Sequence, residues 1–190
     1  MPAHTRPRQI ILACSIALIA VLMAGAVLEL TVVRDICMFI LTPYFAAVVA
    51  VYPVVSLNRF GTGLWVYLPY TLVGLPPLYY FDYLRDGVMV GAWAPFAFAA
   101  TGLAIGASLD LANWAARRVS ARNRAVVVGA VMQAATFMLT LLGFTYLYTL
   151  ASPTAGHLHF FTRDWLFTLP WMTLNGAFGG YTAYALWKRA

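Results

Sequence analysis

Six long apolar runs separated by short charged segments constrain this chain more than any other feature. Charged residues make up 9% of the 190 positions and hydrophobic residues 63%, whereas about a quarter of an ordinary soluble domain is charged. A helix needs about 20 apolar residues to cross the hydrocarbon core of a bilayer. The sequence therefore predicts a polytopic, all-α membrane protein with six transmembrane helices in three hairpins. The predicted spans lie near residues 9–33, 36–57, 63–84, 87–114, 125–150 and 165–187 of a single bundle that covers 1–190.

The basic residues predict how this bundle is oriented. Nine of the twelve fall on one side of the bundle, and short loops rich in lysine and arginine stay in the cytoplasm. Both termini are therefore predicted to be cytoplasmic, with the protein in the cell's inner (plasma) membrane. Because these residues occupy loops between apolar runs, the net charge of +6 indicates a bilayer as partner and no nucleic acid. The nine residues are Arg6, Arg8, Arg59, Arg117, Arg118, Arg122, Arg124, Lys188 and Arg189.

The opposite, outer side carries five of the six acidic residues and the three remaining arginines. Each of these arginines directly precedes an aspartate at the predicted start of an even-numbered helix. Such an aspartate can accept hydrogen bonds from free backbone N–H groups and interact favourably with the helix dipole. The arginine can pair with an acid of another hairpin or with a lipid phosphate. The pairs are Arg34-Asp35, Arg85-Asp86 and Arg163-Asp164, of which the first two are candidates for substrate binding.

Two outer acids are not explained as helix starts. Glu29 is the only glutamate and lies about one turn inside the end of the first predicted span, where an acid is by default a functional-site candidate. An ion pair with Arg34 or Arg85 is the structural alternative. Asp82 lies within the aromatic segment 79–83, although aromatic belts are normal at a membrane interface. Glu29 and Asp82 are the predicted catalytic residues, since a buried carboxyl group can act as a proton donor.

Aromatic and imidazole side chains extend this predicted outer site. The candidates for lining a substrate pocket are Tyr79, Tyr80, Trp93 and Asn175. His157 and His159 form an H-x-H in the outer loop, and imidazole binds transition metals. A carboxylate from Glu29 or Asp35 would complete such a metal site.

Asp110 and several small residues carry structural predictions. Asp110 lies near the inner end of the fourth predicted span, where Arg117 or Arg118 can fold back to form an ion pair with it. Small residues four positions apart let helices approach closely, so their rows predict helix contacts. These rows are Ala13/Ala17, Ala20/Ala24, Gly102/Gly106 and Gly176/Gly180.

Two stretches resemble the A-type membrane subunit of copper membrane monooxygenases, the ammonia- and methane-oxidising complexes, in its compact archaeal form. The first is Glu29-Leu-Thr-Val-Val-Arg34-Asp35, with two acids six positions apart in a short outer turn. The family carries two aspartates at this spacing, so Glu29 departs from its pattern. The second is Leu109-Asp-Leu-Ala-Asn-Trp-Ala115, followed by basic residues, which is similar to the end of the family's fourth helix.

This resemblance implies a membrane subunit of a copper-dependent monooxygenase-like complex that acts on a small or apolar substrate. The order of six spans and the longer outer loop before the last helix agree with it. In that family the best-established copper ligands belong to partner subunits. The role implied for this chain is therefore that of a scaffold and substrate-access subunit that assembles with other membrane subunits.

Two other classes stay open. The chain also resembles the substrate-binding membrane subunit of energy-coupling-factor vitamin transporters, which has six helices and uses small residues on its first helix to dock a partner. Its short first outer loop departs from that family's usual lid. The third class is an intramembrane cyclase or isomerase that uses Glu29 or Asp82 as an acid on a lipid-like substrate.

Overall fold

The structure of the protein, a computed structural model, describes residues 5–28, 36–74, 94–151 and 165–189. Within these residues the chain forms six α-helices and no strand. The predicted all-α class is confirmed, while the number of membrane crossings stays a prediction. The helices are α1 (Thr5–Leu28), α2 (Thr42–Leu57), α3 (Thr62–Pro69), α4 (Ala94–Ala115), α5 (Ala121–Ala151) and α6 (Trp165–Arg189).

Three short irregular turns extend these helices. A π-helical turn, Cys37–Leu41, precedes α2, and a second one, Tyr70–Gly74, follows α3. A 3-10 turn, Ala116–Arg118, follows α4 on the way to α5. Each π-helical turn lies next to a proline, Pro43 or Pro69. Proline has no N–H group, so Pro43 interrupts the α-helical hydrogen-bond ladder between the first π-helical turn and α2.

The tight turn between α2 and α3 is built from residues that tolerate a left-handed backbone. Asn58 has φ 49° and Gly61 has φ 89°, and asparagine and glycine adopt such angles at the lowest cost. The N–H of Asn58 closes α2 by donating to the carbonyl of Val54 at 3.1 Å. The chain thus reverses within four residues.

Glycines allow the closest helix crossings in the bundle. A Cβ atom on Gly129 of α5 would collide with the carbonyl oxygen of Gly176 on α6, and one on Gly180 would collide with the carbonyl of Ala125. Only residues without a side chain let two backbones approach this closely. The helix contact predicted from Gly176 and Gly180 is therefore present.

A second glycine crossing joins α3 to α4. A Cβ atom on Gly63 would lie 2.5 Å from the carbonyl oxygen of Gly106, and one on Gly102 would collide with Thr71. This agrees with the contact predicted from the Gly102/Gly106 row. The alanine row of α1 differs, because Ala13, Ala20 and Ala24 are exposed and Ala17 is half-buried.

The crossings also show which helix ends share a level. Gly25 of α1 lies against Thr42 of α2, as Gly63 lies against Gly106. All α-helices rise by about 1.5 Å per residue. In an antiparallel pair, moving back along one helix therefore matches moving forward by the same number of residues along the other. From the Gly25–Thr42 contact, residue 8 lies level with residue 59, and from the Gly63–Gly106 contact, residue 59 lies level with residue 110. Gly129 against Gly176 likewise brings residues 117 and 118 level with the end of α6.

The basic side chains of the described residues therefore gather at one end of the bundle. We call this the basic end. The residues that define it are Arg8, Arg59, Arg117, Arg118, Arg122, Arg124, Lys188 and Arg189. Basic residues that lie in separate segments of the sequence are thus close to the same level of the bundle.

Apolar side chains make up the exposed surface of the bundle away from its basic end. Away from the basic end, every exposed side chain that the structure describes is apolar or aromatic, with Phe167 80% and Phe178 65% exposed. The exposed residues of α6 run from Leu166 to Leu186, about 30 Å at 1.5 Å per residue, which equals the thickness of a bilayer core. Among the described residues, eight polar side chains are buried within the apolar core: Ser15, Thr62, Thr71, Asp110, Asn113, Arg124, Gln133 and Asn175.

Two of the described segments are long and apolar enough to cross a membrane by length and composition. They are Pro7–Leu28 in α1, of which a small part is buried, and Phe39–Leu57, which includes α2 and of which half is buried. Two such helices are consistent with association with a membrane. The multi-pass topology stays a prediction.

Candidate functional site

Buried polar side chains concentrate in two clusters, one at the basic end and one towards the opposite end of the bundle. At the basic end, the carboxylate of Asp110 on α4 accepts hydrogen bonds from two backbone N–H groups of α3. The Gly63 amide donates at 2.9 Å and the Leu64 amide at 3.1 Å. These are first-turn amides, which have no partner within their own helix. Asp110 is 1% exposed and thus caps α3 from a neighbouring helix.

This partner differs from the predicted one. Arg117 and Arg118 were the arginines expected to pair with Asp110, but its hydrogen bonds go to the amides of Gly63 and Leu64. The guanidinium carbon of Arg117 lies 5.0 Å from the ring centroid of Trp114, within the range of a cation–π interaction. The positive end of the α3 dipole attracts an anion, so the Gly63 and Leu64 amides take the place that the prediction gave to an arginine.

The second part of this cluster centres on Asn58 in the α2–α3 turn. Its side-chain Oδ1 accepts hydrogen bonds from Asn113 Nδ2 at 3.3 Å and from Arg124 Nη1 at 3.1 Å. The turn is therefore tied to both α4 and α5. Asn113 Oδ1 and Arg124 Nε are buried and have no hydrogen-bond partner among the described residues. Together with the hydrogen bonds of Asp110, these contacts fix the position of the α2–α3 turn. The cluster at the basic end therefore has a structural role.

The cluster at the other end surrounds the start of α2. Pro43 cannot donate a hydrogen bond to the carbonyl of Phe39, four residues before it, as an α-helical residue would. Two side chains of α6 donate to that carbonyl: Asn175 Nδ2 at 3.1 Å and Trp171 Nε1 at 2.9 Å. Asn175 Nδ2 also donates to the carbonyl of Ile40 at 2.9 Å. Side chains of α6 thus bind backbone carbonyls that the π-helical turn presents.

Gln133 on α5 joins the same cluster. Its Nε2 donates to the carbonyl of Pro43, and its Oε1 is buried with no hydrogen-bond partner among the described residues. Nearby, Tyr44 and Thr182 share a hydrogen bond of 2.8 Å between their hydroxyl oxygens. The bundle interior here combines an irregular backbone turn with buried amide side chains. We call Gln133, Asn175 and the turn 37–43 the amide cluster.

One predicted site residue lies within the amide cluster. Asn175 is buried, and its amide nitrogen is engaged by the carbonyls of residues 39 and 40. Its role in substrate binding stays a prediction. The other predicted site residues lie outside the described residues: Glu29, Arg34, Asp35, Tyr79, Tyr80, Asp82, Arg85, Asp86, Trp93, His157 and His159.

The two histidines of the predicted metal site also lie outside the described residues. Within residues 5–28, 36–74, 94–151 and 165–189, no group of three His, Cys, Asp or Glu side chains is arranged to hold a metal ion. His157 and His159 lie outside these ranges. Copper binding therefore stays a prediction.

Several residues of these two clusters were not predicted from the sequence. Asn58, Arg124 and Gln133 were assigned no site role, although a glutamine inside an apolar run is a recognisable signal for an interior polar contact. Pro43 carries a second signal, because it leaves the carbonyl of residue 39 without its usual donor. Nothing in the sequence, however, indicates that the donors come from α6.

No protein-family model matches the chain, and neither a curated protein nor a solved structure is significantly similar to it. Within the described residues, the fold is an all-helical bundle with polar clusters in its interior, a basic end and an otherwise apolar exposed surface.

Proposed function

We propose that this protein is a multi-pass integral membrane protein of the inner (plasma) membrane, with both termini in the cytoplasm and a polar site towards the outer face. Within that class, its proposed role is a membrane subunit of a copper-dependent monooxygenase-like complex that acts on a small or apolar substrate.

The observation that carries the membrane proposal is the distribution of polarity. Soluble proteins rarely expose large continuous apolar patches, yet the exposed side chains of α6 stay apolar or aromatic over about 30 Å. In lipid the same surface is favourable, and polar residues then face the interior, as Asp110, Gln133 and Asn175 do here. The basic end supports a cytoplasmic position for this face because positive charge stays on that side.

The subunit role rests on the resemblance of segments 29–35 and 109–115 to the monooxygenase family. The second segment has a structural explanation as well, since Asp110 caps α3 and Asn113 binds the α2–α3 turn. The amide cluster supports a polar site inside the bundle, because buried amide side chains meet an irregular backbone turn there. Glu29 and Asp82 are the proposed acids of that site.

A vitamin- or solute-transporter subunit is the second candidate, favoured by one observation. Ala13, Ala20 and Ala24 are exposed on α1, as they would be in a subunit that docks a partner through small residues of its first helix. In a transporter the amide cluster would belong to the substrate pocket.

Extraction and purification test these proposals in order. Membranes from cells that express the protein are washed with alkaline carbonate, and an integral protein stays in the pellet. The protein is then purified in a mild detergent, and its companion chains and copper content are measured. Companion chains together with copper support the monooxygenase-like subunit. A copper-free protein that binds a small vitamin would contradict it and favour the transporter subunit.

A further inference from the structure

Positive charge at the basic end is not balanced by the described acidic residues. Asp110 is the one acid within residues 5–28, 36–74, 94–151 and 165–189, and its carboxylate is occupied by the amides of Gly63 and Leu64. Eight basic side chains lie at the same end, and all but Arg124 are exposed. This end of the bundle therefore presents a strongly positive surface.

Large aromatic side chains border that positive surface. Phe60 in the α2–α3 turn is 68% exposed, Trp65 on α3 is 62% exposed and Trp114 at the end of α4 is 55% exposed. Trp114 lies under the guanidinium of Arg117, at 5.0 Å. Aromatic rings beside basic groups suit the boundary between lipid headgroups and acyl chains. Beyond this boundary the exposed surface is apolar.

We propose that the basic end binds the phosphate-bearing headgroups of anionic lipids, with Arg117 on Trp114 as one contact point. The proposal rests on the proposed membrane location, and adds a preference for anionic over zwitterionic lipids. Arginine recognises phosphate through several N–H donors at once, and stacking on a ring orders the guanidinium before it binds. The basic residues adjoin the exposed apolar surface, which the bilayer covers in the proposed location. Lipid headgroups are therefore the anionic groups nearest to them, which favours lipid as the occupant.

The test is lipid retention by the whole protein. It is reconstituted into nanodiscs made of equal parts phosphatidylglycerol and phosphatidylcholine, released into detergent and weighed by native mass spectrometry. We expect phosphatidylglycerol to be retained in excess over phosphatidylcholine. Arg117→Gln is expected to lower that excess about fivefold, the effect of one basic residue near an anionic surface. Arg117→Lys, which keeps the charge, should retain most of it, and Ser120→Ala should retain all of it.

Three results would overturn the proposal. The first is equal retention of both lipids by the unmodified protein, and the second is no change in Arg117→Gln. The third is complete loss of phosphatidylglycerol in added inorganic phosphate but not in an equal concentration of chloride, which would identify a site for the free anion. Circular dichroism of each variant verifies folding. Carbonate extraction of the same preparations reports separately on the membrane location, so failure of that proposal is distinguishable.

Discussion

Replacing Asp110 by alanine is the most informative test of the cluster at the basic end. The substitution removes the acceptor of the Gly63 and Leu64 amides, which donate at 2.9 and 3.1 Å. Because Asp110 is 1% exposed, bulk water does not readily replace it. The two amides at the start of α3 are then left buried without an acceptor.

The magnitude follows from these two hydrogen bonds. Leaving a buried donor unsatisfied costs about 1–3 kcal/mol, so two amides predict a loss of about 2–6 kcal/mol in the free energy of unfolding. For a chain of this length, about 1 kcal/mol lowers the melting temperature by about 2–4 °C. Asp110→Ala is therefore expected to melt at least about 4 °C below the unmodified protein. Asp110→Asn keeps one oxygen acceptor and is expected to lose less.

The assay is thermal unfolding of the purified protein in detergent, followed by circular dichroism of the helices. Ser108→Ala is the matched control on the same helix, because the Ser108 hydroxyl donates to the carbonyl of Ile105 within α4 at 2.7 Å. Its melting temperature should change by less than half as much. If Asp110→Ala melted within 1 °C (about 0.5 kcal/mol) of the unmodified protein, the cap would not stabilise α3.

Three further substitutions test other parts of the account. Asn175→Leu removes the donor to the carbonyls of residues 39 and 40 and should lower the melting temperature. In a Pro43→Ala background, where residue 43 gains an N–H, the loss of unfolding free energy caused by Asn175→Leu should be smaller by about 0.5–3 kcal/mol. If the two losses were additive, Asn175 would not replace the donor that Pro43 lacks. Gly176→Leu should abolish a single symmetric gel-filtration peak because its Cβ would collide with the α5 backbone, whereas Phe178→Leu on the exposed face should keep the peak. Glu29→Gln should abolish activity with normal expression if Glu29 is a site residue; loss of expression would instead indicate a structural ion pair.

The helical class and the close crossings follow from local signals, so they were predictable. Apolar runs of sufficient length predict helices, and Gly176/Gly180 predict a close contact whichever helix provides it. The grouping of the basic residues also follows, because antiparallel hairpins bring alternate loops to the same end. These features depend on residues within one helix or one loop.

Partners that are distant in sequence were not predictable. Asp110 had two arginines within eight positions, yet it binds amides 46 and 47 residues earlier in the chain. That outcome depends on the left-handed Asn58 and Gly61, which turn the first amides of α3 towards α4. Asn175 and Pro43 lie in separate helices, and only the fold shows that one supplies the hydrogen bond that the other lacks.

Lipid exposure of the apolar surface is the central claim, and spin labels measure it directly. Single labels at Phe178 and Leu103, both exposed on the surface, and at Ser120, in the loop of the basic end, are introduced into the protein in liposomes. Collision rates with oxygen, which partitions into lipid, and with a water-soluble nickel chelate are then compared. We predict that oxygen dominates at Phe178 and Leu103 and that the nickel chelate dominates at Ser120. Dominant nickel collisions at Phe178 and Leu103 would contradict a membrane-embedded bundle.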